Sequence, residues 1–159
     1  MIIIGNIIAL IASLIMVYTG ILKNKKKIIY FQTVQIGLFV VSNLVLGGIS
    51  GAIINAISIV RNILCYKEKL DLKGKIIITI LSVVLTLAFN NLGFIGLLPL
   101  ISTVSYIWFM DIKDIKIFKL LFSFTVLLWF IYDIIIKSYT SAIFDFATIV
   151  ANIVSILKK

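Results

Sequence analysis

The apolar residues of this chain fall into seven long runs, at about 2–22, 28–46, 49–66, 75–91, 94–111, 115–136 and 139–157, with very little sequence between them. A helix rises 1.5 Å per residue, so crossing a hydrocarbon layer of about 30 Å takes roughly 20 apolar residues, with a range of about 17–25. Each run meets that length. A soluble fold could not bury them all: 62% of the 159 residues are hydrophobic, 13% are charged, and the mean hydropathy is +1.24. Soluble domains average about 45–50% apolar and about 25% charged. The expectation is one integral membrane domain over 1–159, all α-helical. The short connections make neighbouring helices antiparallel hairpins.

The charges supply the orientation. Lys23, Lys25, Lys26 and Lys27 follow the first run. Arg61, Lys67, Lys69, Lys73 and Lys75 surround the third connection, Lys113, Lys116 and Lys119 the fifth, and Lys158 and Lys159 end the chain. Only Lys137 falls on the opposite side. Cytoplasmic loops carry the excess of Lys and Arg, so the N-terminus is expected outside and the C-terminus in the cytoplasm. An odd number of spans is then required, and seven satisfies it. Tyr66, Trp108 and Tyr139 stand near span ends, where amphipathic rings anchor at the interface. The first basic cluster follows its apolar run, whereas a signal peptide carries its charge before it. The first run therefore reads as a retained helix.

Composition also excludes functions. The net charge of +9 does not signal nucleic-acid binding, because the basic residues sit in short clusters between apolar runs. There is no His, and Cys65 is the single Cys. An intrachain disulfide, a His- or Cys-based metal site, and Ser–His–Asp or Cys–His catalysis are all ruled out. No enzyme activity, cofactor or metal is expected.

Displaced by 90 positions, the chain roughly matches itself. Ile49–Leu64 reads ISGAIINAISIVRNIL, and Tyr139–Val154 reads YTSAIFDFATIVANIV. Ile and Val matches weigh little in this composition, but polar positions coincide as well. Ser50 aligns with Thr140, Asn55 with Asp145, Ser58 with Thr148, Asn62 with Asn152, and Asn43 with Asp133. Spans 1–3 (1–66) thus correspond to spans 5–7 (94–159), and the span at 75–91 is a linker. A linker that crosses once leaves both halves pointing the same way, a 3+1+3 parallel repeat.

Polar side chains in hydrocarbon must face protein or water. Gly51, Asn55, Ser58, Asn62 and Cys65 form one helical stripe, and Ser141, Asp145, Thr148, Asn152 and Ser155 form another. Both stripes are expected to face inward. Helix-packing hydrogen bonds would account for Ser58, Thr148 and Asn152. Asp145 is different. It lies six residues into its span, about 9 Å along the helix, with no basic neighbour in sequence, and so is a candidate to bind a proton or a cationic group. Asp133 has Lys137 at i+4 and reads as half of a surface ion pair. Arg61 can snorkel to the cytoplasmic interface. Gln32 and Gln35 share a face of the second span and suit an inner vestibule or bonds across helices. Asn90 and Asn91 before Gly93 read as a plain turn.

The repeat plan resembles the SWEET/PQ-loop group of small transporters. Trp129-Phe-Ile-Tyr132, then Lys137-Ser-Tyr139, then Asp145 is similar to the SWEET pattern W-x-x-Y-G, a short outer loop and a pocket Asn on the next helix. That resemblance implies Asn55 and Asp145 facing each other across a substrate cavity, with Trp129 beside it. The chain departs from the group in lacking its gate prolines, Pro99 being the sole Pro, and in carrying Asp145 where the pattern has Asn. Over nearly its whole length the chain is similar to the YgjV-type bacterial inner-membrane protein family. The likeness rests on Asn24 to Ile28 (NKKKI), the run from Gly51 to Asn62, and Leu97 to Ile101 (LLPLI). It implies the bacterial cytoplasmic membrane and a multi-pass fold.

The function expected is a transporter or facilitator of a small polar solute, by alternating access between the two triple-helix units. Asn55, Asp145 and Trp129 would bind the solute, with Ser58 and Thr148 beside them and Asn62 and Asn152 toward the inner vestibule. The partners expected are the lipid bilayer and that solute, the chain acting as monomer or homodimer. The alternative is a non-transporting assembly partner or small-molecule sensor, which predicts a packed interior. An intramembrane aspartyl protease using Asp133 and Asp145 fits poorly, because the sequence before Asp145 is Ala142-Ile143-Phe144 and both carboxyls lie toward the outer side.

Overall fold

The computed structural model describes residues 1–21, 25–67, 69–109, 112 and 114–157. Lys23, Asn24, Lys113, Lys158 and Lys159 lie outside the described residues, as do the side chains of Lys25, Lys26, Lys116, Lys119 and Ser155. Among the described residues there are seven α-helices and no strand. They are α1 (Ile2–Ile21), α2 (Lys25–Leu46), α3 (Ile49–Tyr66), α4 (Leu72–Phe89), α5 (Leu98–Phe109, entered through a 3-10 turn at Ile95–Leu97), α6 (Ile115–Ile135) and α7 (Tyr139–Leu157). Windows of 18 residues in α2, α3 and α4 are long and apolar enough on average to cross a membrane, and α1, α5, α6 and α7 carry apolar stretches of 10–17 described residues. The outer surface is apolar, with Ile3, Ile77, Leu87 and Ile143 each more than half exposed. Lipid tails can cover such a surface at no polar cost.

Three helices depart from the sequence reading by three residues or more: α2, which begins at Lys25 and not near 28, α4 and α5. The fourth helix begins at Leu72, not near 75, because the Asp71 carboxylate accepts the Gly74 N–H at 2.8 Å and caps it. It ends at Phe89, where Asn90 turns extended at φ −66° and ψ 118°. The fifth apolar run contains a helix only from Leu98, and Pro99 sits in its first turn. An N–H missing there removes no intrahelical bond, so this proline starts a helix without kinking it.

Two turns of the bundle share one geometry. After α2, Gly47 adopts φ 80°, its N–H donates to Leu44 O, and Gly48 N–H donates to Asn43 O. After α6, Lys137 adopts φ 63°, its N–H donates to Ile134 O, and Ser138 N–H donates to Asp133 O. Each is a Schellman ending, and each corresponding atom is 90 residues from its counterpart. Gly47 takes the left-handed conformation freely, whereas Lys137 carries a Cβ into it at a cost of about 1–2 kcal/mol. Lys137→Gly is therefore expected to stabilise the protein by about 1 kcal/mol, read as a raised thermal midpoint in detergent. An unchanged or lowered midpoint would count against that strain.

Hydrogen bonds tie these turns to two other segments at the same end of the bundle. The Asn6 amide on α1 donates to Lys137 O at 2.9 Å, and its carbonyl accepts Thr140 N–H at 2.9 Å. The Asn91 amide donates to Gly47 O at 3.1 Å, and Asn90 Oδ1 accepts from Ser50 Oγ at 3.1 Å and from Leu92 N–H at 3.0 Å. Residues read as plain loop signals thus satisfy helix-terminal groups of neighbouring elements. Tyr132 completes this end. Its ring is fully buried, and its hydroxyl accepts the Gly51 N–H at 2.8 Å. A Cβ on Gly51 would lie 2.7 Å from Tyr132 Cε1, so glycine is what allows this approach. Leu98, Tyr132 and Ile136 pack here with Leu46, Leu92, Ile95, Leu128 and Trp129.

Within the first three helices, α1 packs on α2 and α2 on α3; within the last three, α5 packs on α6 and α6 on α7. The two groups meet along two seams, α1 against α7 and α3 against α5. Helix α4 lies outside, on α3 and α5, where Ile57, Ile78 and Ile107 form a second apolar cluster. This explains why the two polar stripes differ. Gly51, Asn55, Ser58 and Asn62 on α3 are all buried, and Cys65 is half-buried. On α7 only Ser141 is buried, while Asp145, Thr148 and Asn152 are half-buried, because no counterpart of α4 covers that helix.

Candidate functional site

Between the two groups of helices lies a cavity of about 240 Å³. Pockets for drug-sized ligands run about 300–1,000 Å³, so this one suits a compact solute. Six helices line it and α4 contributes nothing. From the first group come Ser13 and Met16 on α1, Gln32, Gln35, Phe39 and Asn43 on α2, and Asn55, Ser58 and Arg61 on α3. From the second come Ser102, Thr103 and Tyr106 on α5, Phe122, Thr125, Trp129 and Asp133 on α6, and Ser141, Phe144 and Asp145 on α7.

Most of these residues pair off at the spacing found in the turns. Ser13 with Thr103, Met16 with Tyr106, Gln32 with Phe122, Gln35 with Thr125, Phe39 with Trp129, Asn43 with Asp133, and Asn55 with Asp145 are each 90 positions apart. The chemistry differs in most pairs, Ser13 with Thr103 and Phe39 with Trp129 excepted. The first group offers amides and an aliphatic thioether where the second offers carboxyls and larger rings.

Four residues selected from sequence line the cavity: Asn55, Ser58, Trp129 and Asp145. Three do not. Asn62 is buried behind Arg61, its Oδ1 accepting from Arg61 Nε at 3.2 Å and Nη2 at 3.0 Å. Thr148 turns its hydroxyl back onto Phe144 O at 2.8 Å. Asn152 is half-buried, and its Nδ2 is without a hydrogen-bond partner.

Asp133 is where the sequence reading failed. The i+4 pairing with Lys137 presumes that the helix continues through both residues. It does not: Lys137 is the left-handed residue that terminates α6 and is exposed, while Asp133 is 5% exposed and lines the cavity. Ser141 is its hydrogen-bond partner, and the Ser141 hydroxyl also receives Ser138 Oγ–H at 2.8 Å. Asp145 lines the same cavity. Asp145 Oδ2 has no accessible surface and no hydrogen-bond partner, and the same holds for Gln35 Oε1 and Ser13 Oγ. Arg61 is the basic residue on this wall. Besides its two bonds to Asn62, its guanidinium lies 5.3 Å from the centre of the Tyr106 ring, a cation–π contact. No cluster of three or more metal-ligating Cys, Asp or Glu occurs among the described residues.

Thr125, Asn43 and Asp133 are not legible as cavity residues because α2 and α6 show no continuous polar stripe, whereas Gln32 and Gln35, read as vestibule residues, do line the cavity. The signal that bears on them is the 90-residue displacement, which pairs Asn43 with Asp133 and, carried along α2 and α6, also pairs Gln35 with Thr125.

The family model for Imp-YgjV, described as bacterial inner membrane protein, matches residues 3–159. The chain belongs to this family. The match covers all seven helices, so the Imp-YgjV description applies to the whole bundle and places it in the bacterial inner membrane, in keeping with its apolar exterior. No curated protein and no solved structure matches the chain.

Proposed function

We propose that this Imp-YgjV protein is a carrier for a small polar solute, built as a 3+1+3 parallel repeat of SWEET-like plan. Helices α1–α3 and α5–α7 are its two units and α4 is the linker. The observation that carries the reading is the cavity wall, whose residues come in pairs 90 positions apart from both units. The matching Schellman turns and the reciprocal α1–α7 and α3–α5 seams support it independently. Such a seam between like units is where a repeat transporter places its substrate.

Sidedness follows from charge. The end that carries the exposed Lys27, Lys67, Lys69 and Lys73 is cytoplasmic, and the end that carries the two turns is outside. The N-terminus then faces out and the C-terminus in. The cluster of Tyr132, Leu98 and Ile136 packs at the end that carries the turns and would seal the cavity toward the outside. The half-exposed Gln32, Arg61 and Tyr106 face its cytoplasmic mouth. Rocking of the units about the Asn55/Asp145 level would exchange these two ends. One chain supplies both units, so a monomer suffices and no chemical step is needed. The alternative, an assembly partner or sensor with a packed interior, lacks the support of a filled centre.

Uptake into proteoliposomes tests the reading. Asp145→Ala and Asn55→Ala are each expected to reduce uptake of the carried solute at least about tenfold, since each removes a polar contact worth about 1.5–3 kcal/mol if the solute is charged. Uptake unaffected by both changes rejects this cavity as the pathway.

A further inference from the structure

The carrier reading leaves the substrate class open, and the cavity's charges narrow it. Two carboxyls, Asp133 and Asp145, share the wall, and no basic side chain pairs with either among the described residues. Arg61 does not serve: it is engaged by Asn62 and Tyr106. It also stands six residues further from the outer turns than Asp145 does, about 9 Å along the axis. A second sign comes from the orphaned atoms. Asp145 Oδ2, Gln35 Oε1 and Ser13 Oγ are buried without a partner; Gln35 Oε1 can only accept hydrogen bonds, as can Asp145 Oδ2 when the carboxyl is ionised. An acceptor-rich, carboxyl-bearing wall requires a donor or a positive charge at its centre. Five aromatic side chains also line the cavity, among them Phe39, Trp129 and Phe144. Aromatic faces attract ammonium groups and tolerate their apolar bodies. A hard metal ion would want a closed shell of oxygens instead.

Resting on the carrier reading, we propose that the solute is a compact organic cation, an ammonium carried on a small apolar body. Its charge sits between Asp133 and Asp145, and its body lies against Trp129. The amides of Asn43 and Asn55 face it from the first unit.

The test compares choline with 3,3-dimethyl-1-butanol, its uncharged carbon isostere, on purified protein in lipid nanodiscs. Trp108 is exposed and outside the cavity wall, so Trp108→Phe leaves Trp129 as the sole tryptophan reporter. Choline is expected to change Trp129 emission saturably at millimolar concentration, and the isostere is not. Asp145→Asn keeps the shape and removes the charge, and is expected to weaken choline binding about 30-fold or more. Should Asp145→Asn fail to fold, judged by its melting curve, Asp133→Asn is read in its place with the same expectation. Equal response to choline and the isostere, choline binding untouched by the Asn variants, or no response to choline at all each overturns the cation assignment. Its failure is separable from that of the carrier reading. An uptake defect of Asn55→Ala for a neutral solute would keep the carrier and discard the cation. Choline binding in a protein that moves no solute across liposomes would keep the cation and discard the carrier.

Discussion

Tyr132→Ala is expected to destabilise the bundle by about 3–5 kcal/mol, the range for removing a buried ring. The ring has no exposed surface, and it touches three separate parts of the fold. It packs on Leu98 and Ile136, meets Trp129 edge-on at 5.8 Å, and lies against Gly48 and Gly51 at the start of α3. In lipid the transfer part of that energy shrinks, because the alternative environment is also apolar. The lost contacts and the void remain, and so does an uncapped N–H on Gly51. Tyr132→Phe keeps the ring and loses only that hydrogen bond, about 1 kcal/mol. Thermal melts of the two variants in detergent separate these contributions. A Tyr132→Ala midpoint within error of the parent would mean that the outer seal does not hold the helices together.

The helices were legible because the hydrocarbon layer imposes a length that composition alone can reveal. All seven apolar runs became helices, and α3 and α7 begin at the expected residues. What composition could not reveal was local capping. Asp71 extends α4 by a turn, and the end of α6 at Lys137 is written in backbone dihedrals, not in residue type. The end of α6 also decides the site. Reading α6 through Lys137 assigned Asp133 to the surface, when the turn actually aims it inward beside Ser141. The α3 stripe was recognisable because every fourth or third residue is polar and all four of its first members are buried. On α2 the cavity residues Gln32, Gln35, Phe39 and Asn43 share a face, but the intervening Phe39 hides the pattern from a search for polar residues. The turn at Asn90 was legible, and Asn90 bonds locally to Leu92 and Gly93, but the ties of Asn6, Asn90 and Asn91 to other elements were not, since those partners are 40 or more residues away.

The pairing of Asn55 with Asp145 makes a charge exchange the sharpest test of how the two units cooperate. Asp145→Asn alone is expected to weaken binding and uptake of the ammonium about 30-fold. Adding Asn55→Asp returns one carboxyl to the same depth on the opposite wall, because both residues stand six positions into their helices and both line the cavity. A cation held between like units needs the charge at that level more than on a given side. The double variant is therefore expected to recover most of the loss, a coupling of the kind that only residues sharing a partner display. Two isolated packing residues would behave oppositely: each change would cost stability on its own, and the costs would add. Measuring choline affinity and melting midpoint together for the two single variants and the double distinguishes these outcomes. Recovery of affinity without recovery of midpoint is the signature of a shared ligand site, and additive losses in both would leave the seam a structural contact alone.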